Sequence, residues 1–330
     1  MQYRRLGQSD VEVSVVCMGC WAIADPRIWG PQDQADAIAA IRASLDAGVN
    51  FFDTAEGYGA GDSEELLGKA LAGRRSEAVI ASKVSPGHHH KADLTAACEA
   101  SLRRLGADRI DLYMLHWPDH AVGFAEPMRA LERLRDQGKI RQIGVSNFAR
   151  ADLPAILELG RVQADQLPYN LLWRAIEFDV QPLCLRHEVS ITCYCPLMQG
   201  MLAGKYATVD DVPPERARTR HFAGARPMAL HRQSGAEALT FGVIHAIRRV
   251  SADAGVSMDQ LALGWLLAQP AVTSVIVGAR NAEQAVRNAH AGDSALPAEI
   301  VARLTEASEP LKQHFGSDNP DMWQVPGRMR

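Results

Sequence analysis

The 330-residue sequence predicts an α/β fold: one (β/α)8 TIM barrel, preceded by an N-terminal β-hairpin and carrying a long loop after its seventh strand. Two observations predict it. Short apolar, β-rich runs alternate with amphipathic helical stretches, the pattern of βαβ units feeding a parallel sheet. Eight strands in that pattern close a barrel more naturally than they fill an open sheet. In addition, Asp53, Lys83 and His116 directly follow three of the runs, at the C-terminal strand ends where such barrels keep their chemistry.

The elements follow in order. Residues 1–13 alternate about Gly7-Gln8-Ser9-Asp10 and read as a hairpin suited to plugging the barrel bottom. Residues 13–18 are the first strand and 33–47 a helix closed by Gly48. The second strand, 49–52, leads to a short helix at 63–71 that Asp62 or Ser63 caps, with Gly73 after it. A strand at 78–82 precedes a helix at 93–105 ended by Gly106. Strand 110–115 precedes helix 126–137, ended by Gly138. Strand 140–145 precedes helix 152–159, ended by Gly160. Strand 162–166, helix 177–187 and strand 189–194 complete the seventh strand. Residues 197–235, rich in Pro, Arg and Gly, form the long loop, of a length that usually serves function, often as a lid. A helix at 258–268, the eighth strand at 272–277 and a helix at 282–290 close the pattern. No linker, tandem repeat or low-complexity tract divides the chain, so residues 1–330 are expected to be a single domain.

Composition narrows the function classes. The chain is 47% hydrophobic and 22% charged, as soluble globular proteins are. A net charge of -4 gives no broad basic face, which argues against nucleic acid and anionic membrane as partners. The N-terminus lacks the apolar core of a signal peptide. No run reaches the roughly 20 apolar residues of a membrane span. A cytoplasmic location is expected. Six cysteines in so long a chain make no disulfide framework. Cys17-x-x-Cys20 reads as a pair of packing thiols, because a strand does not bring its i and i+3 side chains together. The run His88-His89-His90 reads as a solvated loop, and no metal site is expected.

Four polar residues carry the chemistry. Singly, Asp53 reads as a cap, Lys83 as a surface charge and His116 as a core histidine. On neighbouring parallel strands they converge at one rim with Tyr58, which lies in the loop after the second strand. A Tyr beside a Lys and a His, with a carboxylate holding the Lys, is equipped to protonate a carbonyl oxygen. A cationic Lys83 favours the phenolate and is expected to lower the Tyr58 pKa. Trp21, Trp29 and Trp117 fall near the same rim and suggest a pocket for a flat or sugar-like carbonyl compound. The tail at Asp321-Met322-Trp323-Gln324 reads as folding over the rim or joining a subunit interface.

Ordered motifs extend this reading. They are Phe52-Asp53-Thr54-Ala55-Glu56-Gly57-Tyr58-Gly59, Ser63-Glu64-Glu65-Leu66-Leu67-Gly68, Ser82-Lys83 and Leu115-His116-Trp117-Pro118. Further on come Gly138-Lys139-Ile140-Arg141-Gln142-Ile143-Gly144-Val145-Ser146-Asn147-Phe148, Gln166-x-x-Tyr169-Asn170 and Gly200-Met201-Leu202-Ala203-Gly204-Lys205-Tyr206. With these, the chain resembles the aldo-keto reductase superfamily over essentially its whole length. It is closest in style to the bacterial aldehyde-reductase branch near the general-stress proteins. The resemblance implies NAD(P)H-dependent reduction of aldehyde, ketone or sugar carbonyls, with NADP(H) as cofactor and NAD(H) as the alternative. It implies Tyr58 as general acid, Lys83 as its electrostatic partner, Asp53 as the counter-ion of Lys83, and His116 as a hydrogen-bonding group that orients the carbonyl. It implies that Ser146, Asn147 and Gln166 bond the nicotinamide carboxamide and that Tyr194 stacks beneath the ring. Gln199, Gly200 and Lys205 are implied to wrap the pyrophosphate, and Gly278 to open the last helix toward phosphate. Arg280 is implied to take the 2′-phosphate, and Gln284 and Asn288 the adenine. Arg287 stands where the family often has Glu, so one adenine contact is missing. The Gly-rich Rossmann fingerprint is absent, as the family leads one to expect.

Two rivals share parts of this pattern. A non-catalytic NADPH-sensing subunit of the channel-β type has the same fold and motifs. A barrel hydrolase or isomerase using Asp53 and Lys83 explains neither Tyr58 nor the Ser146, Asn147 and Gln166 set. The expected partner is a small carbonyl compound, with the protein a monomer or homo-oligomer.

Overall fold

A computed structural model describes residues 1–323 and 327–330. Ten strands are present among the described residues. β1 (Tyr3–Arg5) and β2 (Glu12–Ser14) form an antiparallel hairpin. Eight parallel strands close a barrel: β3 (Val16–Gly19), β4 (Phe51–Asp53), β5 (Val79–Val84), β6 (Ile110–Leu115), β7 (Ile140–Ser146), β8 (Ala164–Pro168), β9 (Ser190–Tyr194) and β10 (Val272–Gly278). Each pairs with the next in order, and β10 returns to β3. The barrel strands read as apolar runs because helices cover their outer face; β6 is buried throughout.

The period of two along each strand sets the interior. Phe51, Ala81, Leu112, Met114 and Ala164 pack in one buried cluster inside the barrel, with Cys17 and Ile276. Two residues on from Phe51, Ala81 and Ala164 stand Asp53, Lys83 and Gln166, so the same faces carry these polar groups one layer nearer the C-terminal rim. Below them, Leu6, Val11 and Val13 of the hairpin join the same cluster. The hairpin is the barrel's lower plug. Arg4 holds it in place by donating to the carbonyl oxygens of Val272 at 2.6 Å and Leu267 at 2.9 Å.

Several elements differ from the sequence expectation. The expected first strand, 13–18, is two strands that part at Val15. Ser14 ends the hairpin because its N–H donates to Asn50 Oδ1 at 2.7 Å and its hydroxyl to the Val16 carbonyl at 2.6 Å, in place of ladder bonds. β5 runs on to Val84, so Lys83 lies inside a strand and not beyond it. The expected helix 177–187 breaks at Asp179, whose carboxylate caps Val180–Arg186. Helices Glu237–Ala254 and Ala298–Phe315 had no counterpart in the sequence reading. The first starts without a side-chain cap, and the second carries Pro310 in its interior, which reads as a breaker. Among the described residues no helix is long and apolar enough to cross a membrane.

If the hairpin is a plug, Leu6→Ala opens a cavity beneath the barrel, since Leu6 is completely buried. The expected loss is roughly 2–5 kcal/mol, measured as a lower urea midpoint at unchanged m-value.

Candidate active site

The barrel interior ends upward in a buried charge. Lys83 has no exposed surface, and its ammonium needs partners in place of water. It donates to the Asp53 carboxylate at 2.8 Å, to the Thr54 carbonyl at 2.7 Å and to the Tyr58 hydroxyl oxygen at 3.3 Å. Asp53, also buried, accepts a second bond from Gln166 Nε2 at 2.7 Å, which spans the barrel from β8. Tyr58 is half-buried, with its ring 5.7 Å from His116 between centroids and 6.1 Å from Trp21. Because Lys83 donates to the phenol oxygen, the phenol's own hydrogen is free to point elsewhere.

Electrostatics departs from the sequence expectation here. The net shift of the Tyr58 phenol is upward, not downward. Burial, and then the Asp53 charge, push the phenol well above its ordinary value. The Lys83 cation is cancelled at close range by Asp53, so desolvation decides. His116 is held well below the ordinary histidine value by burial, by Lys83 and by Arg328, and is neutral at physiological pH.

Beside this floor the expected ligand residues form a network of their own. Asn147, at φ 67°, donates to the His116 carbonyl at 3.0 Å and to Ser146 Oγ at 2.9 Å. Tyr194 donates to Asn147 Oδ1 at 2.8 Å. Asp53, Tyr58, His116, Ser146, Asn147, Gln166 and Tyr194 all border one cavity of about 600 Å³. Trp21, Trp29 and Trp117 border it too, with Trp21 and Trp29 in edge contact at 5.5 Å.

The cavity's far end is cationic. Lys205, Arg216, Arg280 and Arg287 line it, and burial together with the three arginines lowers the Lys205 pKa. The backbone there is strained: Cys195, Met198 and Gln199 all have φ near +50°. Such conformations persist where surrounding structure imposes them, and they cluster at binding sites. Buried Gln199 has neither amide atom bonded among the described residues. Gly200, Gly278, Gln284 and Asn288 complete the lining. Some expected ligands already have partners. Arg280 donates to Gln32 Oε1 at 2.7 Å, to the Trp29 carbonyl at 2.6 Å and to the Pro31 carbonyl. Gln284 accepts from the Arg280 N–H at 3.0 Å, and Asn288 donates to the Gly278 carbonyl at 3.2 Å. Arg287 is ion-paired to Asp259 at 2.7 Å.

Among the lining residues, the sequence does not single out Arg216, Arg218 and Arg328. The alternation Arg216-x-Arg218-x-Arg220 within the long loop was the available signal. The tail does fold over the rim: Asp321 and Met322 are fully buried and Trp323 borders the cavity; Gln324 lies outside the described residues. In the histidine run, His88 and His90 are exposed as expected, and His89 alone departs from that reading. His88 pairs with Glu56 at 2.9 Å and His90 with Glu126 at 3.4 Å, while His89 is fully buried.

Residues 15–309 match the family described as Aldo/keto reductase family. The chain is 32% identical over 294 residues to aldo-keto reductase YhdN of Bacillus subtilis (strain 168), covering 86% of each chain. It is 31% identical over 323 residues to a probable voltage-gated potassium channel subunit beta of Oryza sativa subsp. japonica, covering 92% of this chain and 95% of that one. A solved aldo-keto reductase from Klebsiella pneumoniae, in complex with NADPH, matches with TM-score 0.73 and 28% identity over 98% of this chain and 100% of that one.

The buried pair makes a thermodynamic prediction. Asp53→Asn leaves the Lys83 cation uncompensated and is expected to cost about 3–5 kcal/mol of stability. Adding Lys83→Met is expected to restore most of that loss. A double-mutant cycle by urea unfolding at neutral pH checks it, and simple additivity of the two changes would refute the coupling.

Proposed function

The chain belongs to the aldo/keto reductase family, and on that premise we propose that it reduces aldehyde, ketone or sugar carbonyls to alcohols, using NADP(H), with Tyr58 as the proton donor. The observation that carries the proposal is the Tyr58 hydroxyl 3.3 Å from a fully buried ammonium at the cavity floor. Residues 1–330 act as one barrel domain in this reading.

The cavity suits a phosphate-bearing dinucleotide. Gln199 offers an unbonded, buried amide, and Lys205, Arg216, Arg280 and Arg287 face one end against a single lining carboxylate, Glu283. The NADPH complex of the Klebsiella pneumoniae relative supports the same cofactor here. Lys205, Gln199 and Gly200 are the pyrophosphate side, Ser146, Asn147 and Gln166 the carboxamide side, and Tyr194 the stacking face. Gln284 and Asn288 flank the adenine, beside Gly278. Arg280 would hold the 2′-phosphate, and its bonds to the carbonyl oxygens of Trp29 and Pro31 would be exchanged for that contact. When bound, the nicotinamide supplies the hydride.

The chain's own residues handle the proton. The raised pKa keeps Tyr58 protonated at neutral pH, ready to donate to the carbonyl oxygen. Lys83 then faces the phenolate left behind and offsets its charge. Neutral His116 donates a hydrogen bond to the same carbonyl oxygen and fixes its orientation. Asp53 keeps Lys83 in place. The rice relative motivates a second reading, a nucleotide-binding subunit that does not turn over.

Tyr58→Phe is expected to lower kcat on the order of 100-fold or more while leaving NADPH affinity near wild type. In wild type, kcat is expected to stay flat from about pH 6.5 to 10, because Tyr58 loses its proton only above its ordinary value and His116 gains one only well below its own. A panel of aldehydes, ketones and sugars with NADPH checks both. Tight binding without turnover across the panel would favour the sensing reading.

Arg280→Ala is expected to weaken NADPH binding about ten- to a hundredfold and leave NADH nearly unchanged, the value of one charge-assisted contact. Fluorescence titration of both cofactors decides it. Equal wild-type affinity for NADH and NADPH would overturn the assignment.

A further inference from the structure

Besides the cations used in the cofactor reading, the cavity is lined by two more, Arg218 and Arg328, that this reading leaves without a role. Beside Trp21, Trp117 and the catalytic floor, Arg218 and Arg328 line the wall. Their situations differ. Arg328 lies 3.3 Å over the Trp117 ring and is neutralised by the fully buried carboxylate of Asp321, with contacts at 3.0 and 3.1 Å. Arg218 has no such partner. Its guanidinium sits between two indoles, 4.5 Å from Trp323 and 5.6 Å from Trp21. Its Nε is buried without a hydrogen bond among the described residues. The nearest carboxylate, Asp25, already accepts from Trp21 Nε1 at 3.2 Å and from the Arg27 backbone and side chain at 3.2 and 3.4 Å.

A planar cation clamped between aromatic faces has its fork fixed in direction and its donors unspent. Desolvating such a group costs free energy unless an acceptor arrives. Asp53, the carboxylate on the floor, is committed to Lys83 and Gln166. Arg218 is half-buried, so water can meet its outer nitrogens, but the buried Nε is left for an acceptor that a ligand brings; beside Trp21, whose ring centroid lies 6.1 Å from that of Tyr58, that ligand is the carbonyl substrate.

We propose that Arg218 is a specificity-determining residue, and that the preferred substrates are carbonyl compounds bearing an anionic group, a carboxylate or a phosphate ester. The anion lies against Arg218 between Trp21 and Trp323, while the carbonyl meets Tyr58. Arg328, held by Asp321, packs the opposite wall at Trp117 and adds positive potential. This rests on the reductase reading above and narrows its substrate class.

The test uses two matched pairs with NADPH: 4-carboxybenzaldehyde against methyl 4-formylbenzoate, and glyceraldehyde 3-phosphate against glyceraldehyde. Wild type is expected to favour the anionic member of at least one pair by about 10- to 100-fold in kcat/KM, chiefly through KM, as one charge-assisted contact allows. The pair that shows the preference tells carboxylate from phosphate. Arg218→Met, which keeps a long stem between the indoles, is expected to bring that ratio to within about threefold of one. Arg218→Lys is expected to keep only part of it, because the charge remains but the planar fork held between the indoles is lost. A ratio near one for both pairs in wild type overturns the proposal without any variant. A ratio that survives in Arg218→Met overturns it too, as does a matching loss of NADPH affinity, which would make Arg218 a cofactor ligand. Failure of wild type to reduce any of the four compounds would instead count against the reductase reading, and against this one with it.

Discussion

A lysine ammonium sealed inside a β-barrel is the constraint on which the site depends. Without partners it would lose its proton or unfold its surroundings. Asp53 on the neighbouring strand supplies the counter-charge, the Thr54 carbonyl fills a second donor, and the third points at Tyr58. Gln166 reaches across the barrel to the second oxygen of Asp53. Four positions on three strands and one loop are thereby fixed relative to each other. The loop carrying Tyr58 is tied to the same ammonium twice, through Thr54 and through the phenol. A phenol that accepts from Lys83 keeps its own hydrogen for a group in the cavity it borders.

Charge is distributed along the cavity with the same economy. The floor is close to neutral, since Lys83 and Asp53 cancel and His116 is uncharged. The lining around it is not: Lys205, Arg216, Arg218, Arg280, Arg287 and Arg328 all border the cavity. A near-neutral floor within a cationic lining favours a ligand that carries negative groups away from its carbonyl. The long loop between β9 and β10 supplies Lys205, Arg216 and Arg218 to the lining, and its first residues, Cys195, Met198 and Gln199, border or adjoin the cavity in left-handed conformations.

Much of this was legible in the sequence. The alternation of strands and helices announces the barrel, and parity along β4, β5 and β8 explains why Asp53, Lys83 and Gln166 meet. The pieces that were not legible share a physical cause: they depend on three-dimensional partners. Gln166, Gln284, Asn288 and Arg280 look like free ligands in one dimension, yet each bonds to protein groups that only folding brings near. The Tyr58 phenol reads as acidified by Lys83 until burial is known, and burial reverses the direction. His89 sits in a polar run and is nevertheless buried. Helix Ala298–Phe315 is hidden by Pro310, and Arg218 and Arg328 sit in segments without periodicity.

The protonation of Tyr58 is where the account is most exposed. Tyrosine labelled with 13C at the ζ carbon, assigned by comparison with Tyr58→Phe, reports phenol and phenolate as distinct shifts in an NMR titration. The Tyr58 signal is expected to stay in the phenol position past about pH 10, the ordinary tyrosine value. A signal that moves to the phenolate position near neutral pH would contradict it, since Lys83 would then dominate burial and Tyr58 would have no proton to give.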